Sequence, residues 1–246
     1  MSHVFTIQAE DVAPQAWRNG GGQTRELLVW PAPVHAAQCT DASNGHAGSL
    51  GGMAFCAGKG GDREAGGGHG AKRYAAQTPS ASQEWQLRIS RADITQSGPF
   101  STFPGVQRWF VVLSGKGVIL HMPNPDGTDT DLILHPGHAP LHFDGGQAPV
   151  CTLISEPTQD LNLMVRGGRA CVLPVQTGVA WDSDFAQCGL YTTCSGTWTD
   201  GHQTRSVAAH SLLWLLPDAP TPMRFFSDSA EPHTAWWLGF TPELAP

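Results

Sequence analysis

A chain of 246 residues with 40% hydrophobic and 14% charged positions can bury a real core, as one large domain or two small ones. Its net charge of −7, with no basic block, offers nothing to a phosphate backbone, so nucleic acid is not expected as a partner. The start lacks the basic and apolar regions of a signal peptide, and no run approaches the ~18 apolar residues of a membrane span, which predicts a cytoplasmic protein without membrane contact.

Nine Trp and nineteen Pro lean towards β structure with many turns. The chain opens with a short strand over 4–7, then a WRNGGG turn at 17–22, then a strand over 26–30. Residues 34–83 hold eleven of the 29 glycines and show no period of 2 or 3.6, so they are expected to be an insertion or mobile loop. Cys39, His46, Cys56 and His69 lie inside it at spacings that match no zinc finger or ribbon. Beyond it, WQLRIS at 85–90 alternates, with Trp85, Leu87 and Ile89 on one face and Gln86, Arg88 and Ser90 on the other. Strands follow over 108–113, 118–122, 132–134, 141–143, 150–154 and 161–165, with an SGKG turn and a D-G hairpin signal between the early ones. A looser series repeats over 171–175, 189–194, 210–216, 223–226 and 235–240. The six cysteines form no C-x-x-C pair, and free thiols are expected. Many short strands and no long amphipathic helix predict an all-β barrel or sandwich.

The glycine turn does not read as a phosphate loop. Gly22 is followed by Gln23, Thr24 and Arg25, without the Lys-Ser/Thr of a P-loop, and by a strand rather than a helix. Its glycines are expected to allow positive φ and close backbone approach. No H-x-H pair exists, and His121, His135, His138 and His142 are spaced too loosely to converge on one ion, so no metal is predicted. No G-x-S-x-G elbow is present, and Glu26, Glu84, Asp93 and Asp160 form no convincing acid–base pair, so no catalytic residue and no cofactor is predicted. What remains is a set of donors beside tight turns. Arg88 and Ser90 share a polar strand face, and Arg108 opens the next strand. An arginine fork suits a carboxylate, and structural ion pairs with Glu84, Glu26 or Asp93 are the competing role for these arginines.

Five motifs in order carry a resemblance: WRNGGG with Thr24 and Glu26, WQLRIS at 85–90, GPFSTFPG at 98–105 with Arg108, LSGKG at 113–117 and DLNLMVR at 160–166. Together they resemble the HutD/Ves family of bicupins, closely over 1–33 and 84–170 and by strand pattern elsewhere. The resemblance implies a cupin-type (RmlC-like jelly-roll) bicupin of two barrel-like halves. These are expected over 1–165, including the 34–83 insertion, and over 166–246, packed together, with strand sharing between them left open. It implies a small-metabolite binding protein that limits histidine utilisation. Its ligand would be a carboxylate such as urocanate or a formyl- or formiminoglutamate. The implied pocket residues are Asn19, Thr24, Arg88, Ser90, Ser101 and Arg108, with Arg108 as the carboxylate anchor. Val106 departs from the aromatic residue usual after the F-P-G turn. A metal-independent enzyme acting on a small acid and a stress-related protein–protein module are the alternatives. Barrel edges also make a homodimer an expectation.

Overall fold

Strand alternation sets the layering of this chain. In SLLWLL, Leu212 and Trp214 point to one apolar core while Leu213 and Leu215 point to another. A strand that is apolar on both faces must be covered on both sides, so its sheet lies inside the molecule. The computed structural model describes residues 3–31, 85–124, 126–216 and 222–243. The expected 34–83 insertion, with its cysteines and histidines, lies outside the described residues, as does Glu84.

Four sheets stack in series through three cores. An outer four-stranded sheet runs Gly98–Pro99, Val150–Leu153, Val118–Pro123, Asp129–Leu134. It faces a six-stranded sheet ordered Gln15–Ala16, Gly22–Pro31, Trp85–Ile94, Thr158–Val165, Gln107–Ser114, Leu141–Asp144. Ile94, Phe100, Phe110, Val112, Leu120 and Phe143 fill the space between these two. The other face of the six-stranded sheet, through Leu87, Ile89, Val111, Leu161 and Leu163, meets Tyr191, Trp214, Trp236 and Phe240 of a five-stranded sheet. That sheet runs His3–Gln8, Ser211–Leu216, Gln187–Thr192, Ala235–Thr241, Arg169–Pro174. Its far face packs on Trp198, Val207 and Phe225 of a three-stranded sheet. All named pairings are antiparallel, and the helical content of the described residues is one short 3-10 turn, Ala9–Asp11. The architecture is the expected all-β, cupin-type jelly roll.

His3–Gln8 pairs along its whole length with Ser211–Leu216, so the N-terminus lies in the sheet built by the C-terminal strands. The alternation within residues 3–8 marks a strand but carries no information about a partner two hundred residues away. Two further strands, Gly196–Thr199 and Thr204–Val207, lie in a stretch whose polar residues hide the pattern.

The WRNGGG turn behaves as its glycines suggest. Gly20 sits at φ +72°, where a side chain is strained, and the Asn19 side-chain oxygen accepts the Gly21 N–H at 3.0 Å. Gly22 has no room for a Cβ, which would press on the Asp93 backbone carbonyl of the neighbouring strand. That carbonyl is pinned in the sheet and cannot retreat. Gly22→Ala is therefore expected to cost about 1–3 kcal/mol, seen as a lowered midpoint in urea with an unchanged slope.

Candidate functional site

The space between the four- and six-stranded sheets is lined by alternate residues of the six-stranded sheet. On Trp85–Ile94 the even positions Arg88, Ser90, Ala92 and Ile94 face inward, because Leu87 and Ile89 face the central core. Cross-strand partners share a face, which brings Glu26 opposite Ser90, Asn162 opposite Ser90 from the other side, and Arg108 opposite Met164. A bulge between Glu26 and Leu28 lets Glu26 face inward while Leu27 and Leu28 both pack on the central core. The D-x-N spacing of Asp160 and Asn162 places both on this same inner face.

Arg108 is the centre of the arrangement and is only 8% exposed. Its Nε donates to Asn162 Oδ1 at 2.7 Å, and Asn162 Nδ2 in turn donates to Asp160 Oδ1. The guanidinium carbon lies 4.8 Å from the Phe100 ring centre and 5.5 Å from that of Phe143, so two aromatic rings flank the cation. Val106, where an aromatic side chain was the family expectation, is wholly buried. Burial draws the Arg108 guanidinium down to about 10, against the pull of Asp160, and it stays cationic at neutral pH. Burial pushes the Asp160 carboxyl up to about 8; Arg108 and the Asn162 hydrogen bond oppose this, and Asp93 adds to it. Burial also pushes the Cys151 thiol up to about 12, which disfavours the thiolate at neutral pH.

Arg88 takes the other role that the sequence allowed. Its Nη2 pairs with Glu26 Oε1 at 2.5 Å, and the two side chains are 21% and 17% exposed. Arg108 makes no such ion pair among the described residues, where its one side-chain hydrogen bond goes to a neutral amide. The structure thus brings Arg88, Ser90 and Arg108 to one inner face, with Glu26, Asp160 and Asn162. Thr24 is on the same face, opposite Ala92, and its hydroxyl accepts the Trp17 indole N–H at 2.7 Å. Asn19 and Ser101 lie exposed on turns, and the Asn19 oxygen is committed to its own turn. Asp160 and Asn162 are the residues that motif reading left without a role, although period 2 already put them on one face.

Other polar clusters are accounted for differently. His121 bonds Asp131 at 2.6 Å and Thr152 at 2.9 Å, and His142 stacks on Trp109 at 4.2 Å between ring centres. No group of three or more metal-ligating side chains occurs among the described residues. Cys151, Cys171, Cys188 and Cys194 are free thiols. No helix among the described residues is long and apolar enough to cross a membrane. A cavity of about 310 Å³ lies elsewhere, between residues 174–177 and 229–235, and does not touch Arg108.

The layered jelly rolls with a charged, aromatic-flanked interior define a cupin-type protein, and similarity to solved folds agrees. Oxalate decarboxylase OxdC of Bacillus subtilis superposes with a TM-score of 0.52 at 9% identity, over 98% of this chain and 78% of that one. HutD from Pseudomonas fluorescens SBW25, solved in a formate condition, superposes with a TM-score of 0.66 at 18% identity, over 98% of this chain and all of that one. Protein Ves of Citrobacter koseri is 28% identical over 186 residues, 72% of this chain and 90% of that protein. The HutD family model matches residues 66–223, and the chain belongs to the HutD family.

The raised Asp160 carboxyl sets a pH dependence whose sign is fixed. A carboxyl near 8 in the fold and 3.8 in the unfolded chain favours folding fully at low pH, and that contribution is lost as pH rises through about 4 to 8. Asp160→Asn keeps the shape and removes the titration. Its melting temperature is expected to gain on the wild type steadily across that window, and parallel pH curves for the two proteins would contradict the buried neutral acid.

Proposed function

We propose that the first half binds a small carboxylate metabolite on Arg108, and that the protein acts as a cytoplasmic binding component that limits histidine utilisation rather than as a catalyst. The observation that carries this reading is a buried guanidinium flanked by Phe100 and Phe143 whose only bonded side chain among the described residues is the neutral Asn162 amide. A buried cation is stable when an anion meets it, and a carboxylate fits the guanidinium fork with two parallel hydrogen bonds. With Asp160 protonated and Arg88 neutralised by Glu26, the inner face holds one net positive charge, suited to a single carboxylate group. The aromatic flanks favour a ligand with a planar or apolar body, which urocanate and formyl- or formiminoglutamate offer to different degrees. Membership of the HutD family supports the choice of these histidine-breakdown compounds.

Asp160 is also the one observation that favours a second reading, a metal-independent enzyme in which a neutral carboxyl donates a proton to a small acid. Calorimetry with formate, urocanate, formylglutamate and formiminoglutamate, followed by analysis of each recovered compound, separates the two. Binding of at least one without conversion is expected, with Arg108→Gln weakening it about 10–100-fold through loss of charge-assisted bonds. Unchanged affinity in Arg108→Gln, or no binding of any of the four, would sink the carboxylate reading; turnover would favour the enzyme.

A further inference from the structure

The opposite face of the six-stranded sheet carries polar groups that an apolar core does not account for. Arg25 and Arg91 are direct cross-strand partners facing the five-stranded sheet, and like charges placed so repel each other. Arg91 is 5% exposed. Its Nη1 donates to Glu10 Oε1 at 2.7 Å, and Arg25 Nη1 donates to the Val12 carbonyl. The Nε atoms of both arginines are buried without a partner. Across the seam, Tyr191 is wholly buried, and its hydroxyl has no partner of full hydrogen-bond geometry although the Arg91 guanidinium lies close enough to act on it as both charge and donor. His210 stands beside them at φ 55°, its carbonyl holding the Ala9 N–H at 2.9 Å and its Nδ1 unpartnered.

Five of the seven buried side-chain atoms without partners among the described residues therefore lie around this seam. Two are arginine N–H donors, one is the Trp236 indole N–H, one is a phenol, and one is an imidazole nitrogen that donates in one tautomer. The cluster is rich in donors and short of acceptors, and each unmet donor is costly. The nearby carboxylates do not cover it. Asp93 is committed to Gln23 at 2.9 Å and to Gln159 at 2.8 Å. Glu10 reaches Arg91 from a single 3-10 turn with its side chain 55% exposed, so it is held from the water side.

We propose that this seam between the two halves is a second anion site, in which Arg25, Arg91 and Tyr191 hold a small oxyanion and Glu10 is a tethered carboxylate competing for Arg91. The site is separate from Arg108, because Arg91 and Arg88 project from opposite faces of the same strand. A bound oxyanion relieves the Arg25–Arg91 repulsion and supplies the acceptor that the Nε groups and the phenol lack. Since the donors sit on the six- and five-stranded sheets, occupancy joins the two halves. The oxyanion is either a metabolite carboxylate or inorganic phosphate, and both present the same oxygens.

Melting temperatures of the full-length protein, titrated with formate or inorganic phosphate at constant ionic strength, test this. In the Arg108→Gln background, which disables the other site, a saturable rise of about 3–6 °C is expected near a hundredfold excess over Kd, larger when Glu10→Gln is added and absent when Arg25→Gln or Arg91→Lys is added. A response to formate alone assigns a carboxylate, and a response to phosphate alone an inorganic ion. In that background, no rise with or without Glu10→Gln overturns the proposal, as does a rise that both seam variants retain. If the seam variants do not fold, a selenate soak of wild-type crystals decides: an anomalous peak between Arg25 and Arg91 supports the site, and its absence overturns it.

Discussion

The six-stranded sheet is covered on both faces, and this constraint governs every polar residue on its strands. An outer strand can turn a polar side chain to water at little cost, but Trp85–Ile94, Thr158–Val165 and Gln107–Ser114 cannot. Each buried polar group there must find a partner or remain an expensive exception. Arg88 finds Glu26, and Asn162 bridges Arg108 and Asp160. Among the described residues the exceptions are then few and readable: a guanidinium without a counter-ion and an unpaired Arg88 Nε on one face, and the unpaired Nε groups of Arg25 and Arg91 on the other.

The Arg108 face illustrates how burial divides the labour between two charged types. A carboxyl escapes the cost of burial by taking a proton, which is what Asp160 does near neutral pH. A guanidinium has no such escape and keeps its charge even in an apolar setting. Placing both in one interior therefore leaves a surplus positive charge, although the residues would cancel in water. The flanking rings of Phe100 and Phe143 soften the cost without neutralising the cation.

Much of this was legible in the sequence because the relevant signals are local. The alternation of WQLRIS placed Arg88 and Ser90 on one face, and the glycines of WRNGGG marked a turn with a close approach, which Gly22 makes against Asp93. The strand series gave the all-β class and most strand positions. The partner of His3–Gln8 was not legible, since pairing across two hundred residues leaves no trace in either segment. Nor was the difference between Arg88 and Arg108, both basic residues on polar-looking strand faces. It depends on the bulge at Leu27 that turns Glu26 inward, and on the rings that close over Arg108. Asp160 and Asn162 were visible as a motif, but their connection to Arg108 comes from strand order, which places Thr158–Val165 between the strands of Arg88 and Arg108.

The same strand order explains why the two faces of the sheet carry related chemistry. Residues 88 and 91 differ by an odd number, so one short strand presents an arginine to each side. On the inner face the Arg88 charge is answered by Glu26 from the adjacent strand; on the opposite face Arg91 is answered by Glu10, which comes from beyond the end of His3–Gln8. The N-terminal strand thus does two things at once. It completes the five-stranded sheet beside Ser211–Leu216, and it delivers a carboxylate to an arginine of the six-stranded sheet. One chain segment thus belongs by pairing to the five-stranded sheet and by charge to the six-stranded one.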